Sequence, residues 1–368
     1  MAKVLRGIQH LVRYAHWSYM NDDGAEFRSA AADLHGEVRY RKLEIVTPFF
    51  KHHLRLLTPN THVHLGLRGN DNTLVLAFRG TDFPFTVEQF VNPRRWWGFW
   101  GNVWTDVAFH MNRISWLPPD SEILVHEGFL AAFNNLLDDD RLRMCMLHLL
   151  GRSEVGVEPS KIEVCGHSLG AALATLCALW CKIQWPNAKV TCVTVGSPRV
   201  GNEALVDEFS KLHITCFRLL LDNDPIPTVP DRFTQALPGK VFRGDPRTTV
   251  DRKYRHVGVP ILLHAGKGVG VNLSWVELGV ERPDIAAEEE ACPLPWPFTA
   301  AFWIGGFAPY WALRGARMAP GVFLYHDPAW YSTVVQRVLE RAGGETNTQA
   351  PLHESVLTGA SETTGKWI

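Results

Sequence analysis

The strongest constraint on this chain is the stretch Val164-Cys165-Gly166-His167-Ser168-Leu169-Gly170-Ala171-Ala172-Leu173. It holds Gly-x-Ser-x-Gly, with an apolar, β-branched run before it (161–165) and a nearly charge-free helical run after it (169–181). Strand, turn and helix in that order are the context in which this pentapeptide carries chemistry. A turn this tight needs small residues at Gly166 and Gly170, where a side chain would collide with the neighbouring strand and helix. The turn lifts the Ser168 hydroxyl out of the sheet. The helix start behind it offers free N–H groups to a developing oxyanion. Five such residues recur by chance in many chains; the strand and helix around them make Ser168 a candidate nucleophile.

The rest of the chain alternates strand and helix patterns about this elbow. Helices are predicted over 5–20 and 25–42, and strands over 43–46, 62–67, 73–78 and 121–126. An amphipathic helix follows over 128–151. Beyond the elbow, strands at 189–195 and 214–220 flank a helix at 202–212. A last helix opens at the N-cap Asp327, with Pro328 in its first position, and runs to 341. This alternation predicts an α/β fold with a mostly parallel central sheet and helices on both faces. One domain is expected over 1–341. Residues 342–368 are polar and rich in Gly, Ser and Thr, and read as a disordered tail.

Net charge is −1, which gives no electrostatic case for nucleic acid as a partner. The seven Cys show no metal-ligand spacing and sit mostly in apolar runs, so they read as buried, reduced thiols. The segment from Met1 to His10 lacks the apolar core and cleavage site of a secretory signal. Together these features predict a cytoplasmic protein without bound metal. Gly266-Lys267-Gly268-Val269-Gly270 lacks the P-loop pattern and reads as a turn.

A serine hydroxyl needs a positioned imidazole, and the imidazole needs a carboxylate to fix its tautomer. Asp222 and Asp224 both lie just past the strand at 214–220, where such an acid belongs, and local pattern does not separate them. Either could instead be an Asx turn ahead of Pro225. For the base, His256, His264 and His326 lie downstream. His326 precedes a helix start, in a loop from which an imidazole can reach a cleft. His256 enters a strand and reads as structural, and His264 has no supporting context. His167, beside the nucleophile, points away from it at a sharp turn and also reads as structural.

Several segments, in order, resemble the class 3 lipases, the fungal-lipase-like branch of the α/β-hydrolases. They are Phe78-Arg79-Gly80-Thr81, Trp104-Thr105-Asp106, Val125-His126-Glu127-Gly128-Phe129 and the elbow itself. Gly196-Ser197-Pro198-Arg199-Val200-Gly201-Asn202, Asp224-Pro225-Ile226-Pro227 and Tyr254-Arg255-His256-Val257-Gly258 follow. The resemblance spans about residues 60–260 and recurs at His326. It implies an α/β-hydrolase fold, Asp224 as the acid, and His326, followed by Tyr331, as the base. It implies backbone N–H groups of Thr81 and Leu169 as the oxyanion hole. The implied activity is that of a serine carboxylic-ester hydrolase without cofactor, a triacylglycerol lipase forming an acyl-enzyme on Ser168. The alternatives are a phospholipase or soluble esterase of the same fold, or an inactive hydrolase-fold binding protein.

Two apolar segments remain. Residues 82–106 carry Phe83, Phe85, Phe90, Trp96, Trp97, Phe99, Trp100 and Trp104, with Arg94 and Arg95 among them, and do not alternate as a core strand would. In the class 3 lipases this position holds the lid, which implies contact with a lipid interface. Residues 291–313 have no charge but are interrupted by Pro293, Pro295, Pro297, Gly305, Gly306 and Pro309. A single membrane span there would place His326 across the bilayer from Ser168. Residues 265–322 therefore read as an insertion with no transmembrane segment.

Overall fold

The computed structural model describes residues 1–19, 39–46, 60–68, 73–80, 111–137, 140–150, 159–222, 224–228, 230, 253–264, 275–283, 285 and 326–344. Helix α1 (Ala2–Trp17) leads into β1 (Arg39–Val46), β2 (Asn60–Arg68), β3 (Thr73–Phe78), β4 (Met111–Arg113) and β5 (Leu124–His126). Helices α2 (Glu127–Leu137) and α3 (Arg141–Leu149) follow. Then come β6 (Lys161–His167), α4 (Leu169–Gln184), β7 (Lys189–Val195), α5 (Glu203–Lys211) and β8 (Thr215–Leu221). Strands β9 (Val259–His264) and β10 (Trp275–Leu278) and helix α6 (Pro328–Gly344) complete the described chain.

Eight strands form one sheet in the order β1-β2-β3-β6-β7-β8-β9-β10. From β3 to β9 the neighbours are parallel, and the three outer pairings are antiparallel. The period-2 alternation of each strand divides the core. Leu74, Leu76, Phe78, Ile162, Val164, Val190 and Cys192 face one apolar layer, built with α2, α3 and α4. Val75, Ala77, Cys165, Val193, Val195, Phe217 and Leu219 face the other, built with α1 and α6. Helix α4 is buried from Gly170 to Cys181, which is why that stretch is apolar all round rather than on one stripe. The expected mostly parallel sheet with helices on both faces is what the chain forms.

Local expectations met the fold unevenly. Residues 39–42, read as the end of a helix, are strand, because β1 pairs along its whole length with β2, from Arg39 opposite Leu67 to Val46 opposite Asn60. The single helix read over 128–151 is two, and Asp140, where α3 begins, takes φ 57°. Asp visits that left-handed region more cheaply than most residues. The last helix continues to Gly344, into what read as tail. The lid at 82–106, the apolar segment 291–313 and residues 345–368 lie outside the described residues. No described helix is long and apolar enough to cross a membrane.

A polar cluster pins α1 to the sheet on its own face. His10 Nε2 lies 2.9 Å from Glu163 Oε2, and Arg68 reaches the same carboxylate at 2.6 and 3.1 Å. Burial alone would raise the Glu163 carboxyl; His10 and Arg68 outweigh it and hold it below the ordinary carboxylate value. A depressed native value stabilises the fold above the unfolded-state value and is lost as pH falls through it. Glu163→Gln should therefore lower stability near neutral pH by about 1–3 kcal/mol. In urea melts, the gap from wild type should persist down to about pH 5 and close below about pH 4. A gap that widens in acid would contradict this account.

Candidate active site

The C-terminal edge of the parallel strands carries the candidate residues. Strand β6 ends at His167 and α4 starts at Leu169, so Ser168 alone makes the turn, with φ 59° and ψ −127°. A non-glycine residue there is strained by about 1–3 kcal/mol and persists only if its surroundings hold it. Three contacts do so. The Ser168 N–H donates to the Val195 carbonyl at 3.0 Å, fixing the turn to the end of β7. A methyl at Gly166 would fall on the Gly170 carbonyl, and one at Gly170 on the Phe78 carbonyl, so strand, helix and β3 meet at glycine distance. Leu169 is the first residue of α4, among N–H groups that have no helical partner. Thr81 lies outside the described residues.

Asp224 and His326, 102 residues apart in sequence, meet beside this turn. His326 Nδ1 lies 2.8 Å from Asp224 Oδ2, and both side chains are fully buried. The His326 ring packs against the His167 ring, with centroids 4.4 Å apart. It also abuts Gly196, at φ 56°, where a side chain would run into Asp224 and the imidazole. Asp224 is held from several directions. Oδ1 accepts the Ile226 N–H at 2.9 Å, and Oδ2 accepts the Tyr331 hydroxyl at 2.5 Å. Tyr331 in turn accepts the Leu221 N–H at 3.2 Å. Burial first, then the Asp224 charge, push the Tyr331 phenol well above its ordinary value, so it remains a donor.

The loop that carries the acid is clasped by groups whose part the sequence did not disclose. Arg282 Nη1 donates to the Leu221 and Asp224 carbonyls at 2.9 and 2.6 Å. Arg199, fully buried, donates to the Thr228 and Pro230 carbonyls at 2.8 and 3.0 Å. His256 Nε2 lies 2.8 Å from the Pro227 carbonyl. Burial, with the nearby guanidinium groups of Arg218 and Arg199, holds His256 well below its ordinary value and neutral. Arg282 comes from the region read as an unexplained insertion, so part of that segment buttresses the acid loop.

The rejected candidates find each other. His264 Nδ1 lies 2.8 Å from Asp222 Oδ1, at the ends of β9 and β8. That pair is partly exposed, whereas Asp224 and His326 are sealed against the elbow. Of the two acids that local pattern left tied, Asp224 is the one the fold places with an imidazole at the elbow, and Asp222 lies with His264 at the strand ends. Among the described residues, no group of three His, Cys, Asp or Glu is arranged to hold a metal ion.

Residues 75–234 match the family described as Lipase (class 3). A stretch of 110 residues is 34% identical to the chloroplastic phospholipase A(1) DAD1 of Arabidopsis thaliana, covering 29% of this chain and 24% of that protein. Another, of 118 residues, is 36% identical to the secreted mono- and diacylglycerol lipase 2 of Gibberella zeae, covering 29% and 27%. The chain thus matches about a quarter of the length of these curated relatives. Among solved structures, lipase II from Rhizopus niveus superposes with a TM-score of 0.51 at 17% identity, over 77% of this chain and 86% of that one. That likeness is one of fold, the α/β-hydrolase fold.

These relatives overturn the cytoplasmic expectation, since one is named as secreted and the other as chloroplastic. The reasoning from thiols fails for a physical reason. Cys165, Cys177, Cys181, Cys192 and Cys216 are free but buried. A thiol sealed from oxidants stays reduced in any compartment, so it reports burial and not location.

The carboxylate network predicts its own stability cost. Tyr331→Phe leaves Asp224 without one donor and the Leu221 N–H without its acceptor, in a buried setting. The urea midpoint should fall by the equivalent of about 1–3 kcal/mol with an unchanged m-value. A variant as stable as wild type would show that the hydroxyl is not holding the loop.

Proposed function

We propose, from the match of residues 75–234 to the class 3 lipase family, that this chain is a serine carboxylic-ester hydrolase acting on lipid esters, with Ser168, His326 and Asp224 as its triad. One observation carries the reading: a sealed Asp224–His326 pair stands against the residue that precedes Ser168, at a turn strained to present that serine. The Ser168 hydroxyl attacks the acyl carbonyl carbon while its proton passes to His326. Asp224 keeps the other imidazole nitrogen protonated and stabilises the cation that forms. The tetrahedral intermediate collapses, His326 gives its proton to the departing alcohol, and the acyl group stays on Ser168. Water, deprotonated by the same imidazole, then releases the acid. The oxyanion would be held by the N–H of Leu169 at the start of α4 and by that of Thr81.

Acylglycerols are the favoured substrate. The Gibberella zeae relative is a mono- and diacylglycerol lipase, and the aromatic stretch 82–106 suits a lid that meets lipid. A phospholipase A1 reading is supported by the Arabidopsis thaliana relative. Turnover of emulsified acylglycerols compared with phosphatidylcholine vesicles separates the two.

A fluorophosphonate probe should label wild type and fail to label Ser168→Ala. Asp224→Asn and His326→Ala should each lower p-nitrophenyl ester hydrolysis by about a thousandfold or more. Labelling that survives Ser168→Ala, or full activity without His326, would sink the triad. For the lid, replacing Trp96, Trp97 and Trp100 with Ser should depress hydrolysis of emulsified esters while sparing a soluble short-chain ester. Equal loss on both would count against a lid.

A further inference from the structure

The residue before the nucleophile is held in a way the triad does not require. His167 is fully buried and its Nδ1 lies 2.7 Å from the Tyr19 hydroxyl, just past the end of α1. The Tyr19 oxygen also receives the Gly80 N–H, at the end of β3. The His326 backbone favours a proton on the other side of the His167 ring, so Nδ1 is assigned as the acceptor and Tyr19 as its donor. The ring proton of His167 therefore sits on Nε2, facing the backbone of His326 at a geometry looser than a well-formed hydrogen bond. A methyl at Gly80 would strike the Tyr19 oxygen, the His167 carbonyl and the Ser168 Cβ, so the three segments touch at that point. From the same helix end, the Ser18 Oγ, which donates to the Ala15 carbonyl at 2.8 Å, also lies 3.4 Å from the Phe78 carbonyl. The Arg79 guanidinium stands 5.7 Å from the centre of the Tyr19 ring.

We propose that Tyr19 and His167 are positioning residues for the reaction, forming a bridge that holds the Gly80 segment and the His326 loop in register with Ser168. This rests on the serine-hydrolase reading above. The bridge runs from Gly80 N–H to Tyr19 O, then from Tyr19 O–H to His167 Nδ1, and ends at the ring stack of His167 on His326. Along its length it abuts three parts of the proposed machinery: the segment that leads into Thr81, the elbow, and the base. Burial first, then His326, keep His167 far below its ordinary value, so it stays neutral and adds no charge beside the base. Burial likewise keeps the Tyr19 phenol protonated. Neither residue touches substrate. Their effect is geometric, since small displacements of an oxyanion donor or base weaken only the transition state.

The test deletes one hydroxyl. Tyr19→Phe should lower kcat on a soluble p-nitrophenyl ester about ten- to a hundredfold, with KM changed less than about twofold. The rate of fluorophosphonate labelling at Ser168 should fall by a similar factor. Tyr14→Phe, the same deletion within α1, should keep the wild-type kcat. A Tyr19→Phe enzyme with wild-type kcat and labelling rate overturns the bridge, as does a rate loss explained entirely by a smaller folded fraction. If Tyr19→Phe does not fold, His167→Leu breaks the bridge from its other end and must show the same kcat loss. Absence of labelling in the wild-type protein defeats the hydrolase reading itself, whereas normal labelling in both proteins defeats only the bridge.

Discussion

Ser168 occupies a backbone conformation that few residues with a side chain adopt, and the surrounding architecture can be understood as what keeps it there. Its N–H is tied to β7, its carbonyl receives the first N–H groups of α4, and two glycines let β3, β6 and α4 close to backbone contact. Helix α4 is buried along most of its length, so its start cannot shift without disturbing an apolar layer built from the sheet, α2 and α3. The strain is small beside that packing. A flexible loop would let it relax, and the serine would lose its fixed direction.

The carboxylate–imidazole pair depends on the same rigidity for another reason. Removing both groups from water is unfavourable unless their remaining hydrogen-bonding capacity is met. Asp224 meets it with His326, the Ile226 N–H and Tyr331. The loop beneath it is held by the Arg282, Arg199 and His256 side chains, each engaging backbone carbonyls. The acid is thus presented by strands β8 and β9 together with segments from before and after them. The Tyr19–His167 contact adds the first helix to the same assembly, so residues from near both ends of the described chain converge on the elbow.

Much of this was legible from residue patterns. The β3 and β7 boundaries follow directly from alternation bounded by turn residues, and the elbow is written in five consecutive positions. The Asp327 cap is as well, its carboxylate accepting the Ala329 N–H at 2.8 Å. Long-range pairing was not legible. Strand β1 is strand because β2 lies beside it, against a local pattern that read as helix up to residue 42. The break before α3 depended on one Asp entering the left-handed region. Arg282 looked like one charge in an insertion, and Tyr19 like the end of a helix, because nothing local marks a residue whose partner is distant in sequence.

Residue patterns alone were enough to mark Ser168 as the candidate nucleophile and to show the alternating α/β order and a short roster of acids and imidazoles, because each is a local pattern with a local physical cause. Which acid meets which imidazole was decided only by the fold. Asp222 and Asp224 are two residues apart, yet one pairs with His264 at the sheet edge and the other with His326 against the elbow. The reason is geometric. A loop beyond a strand end directs neighbouring side chains differently, and only the packing of α6 and β9 settles which imidazole waits in each direction.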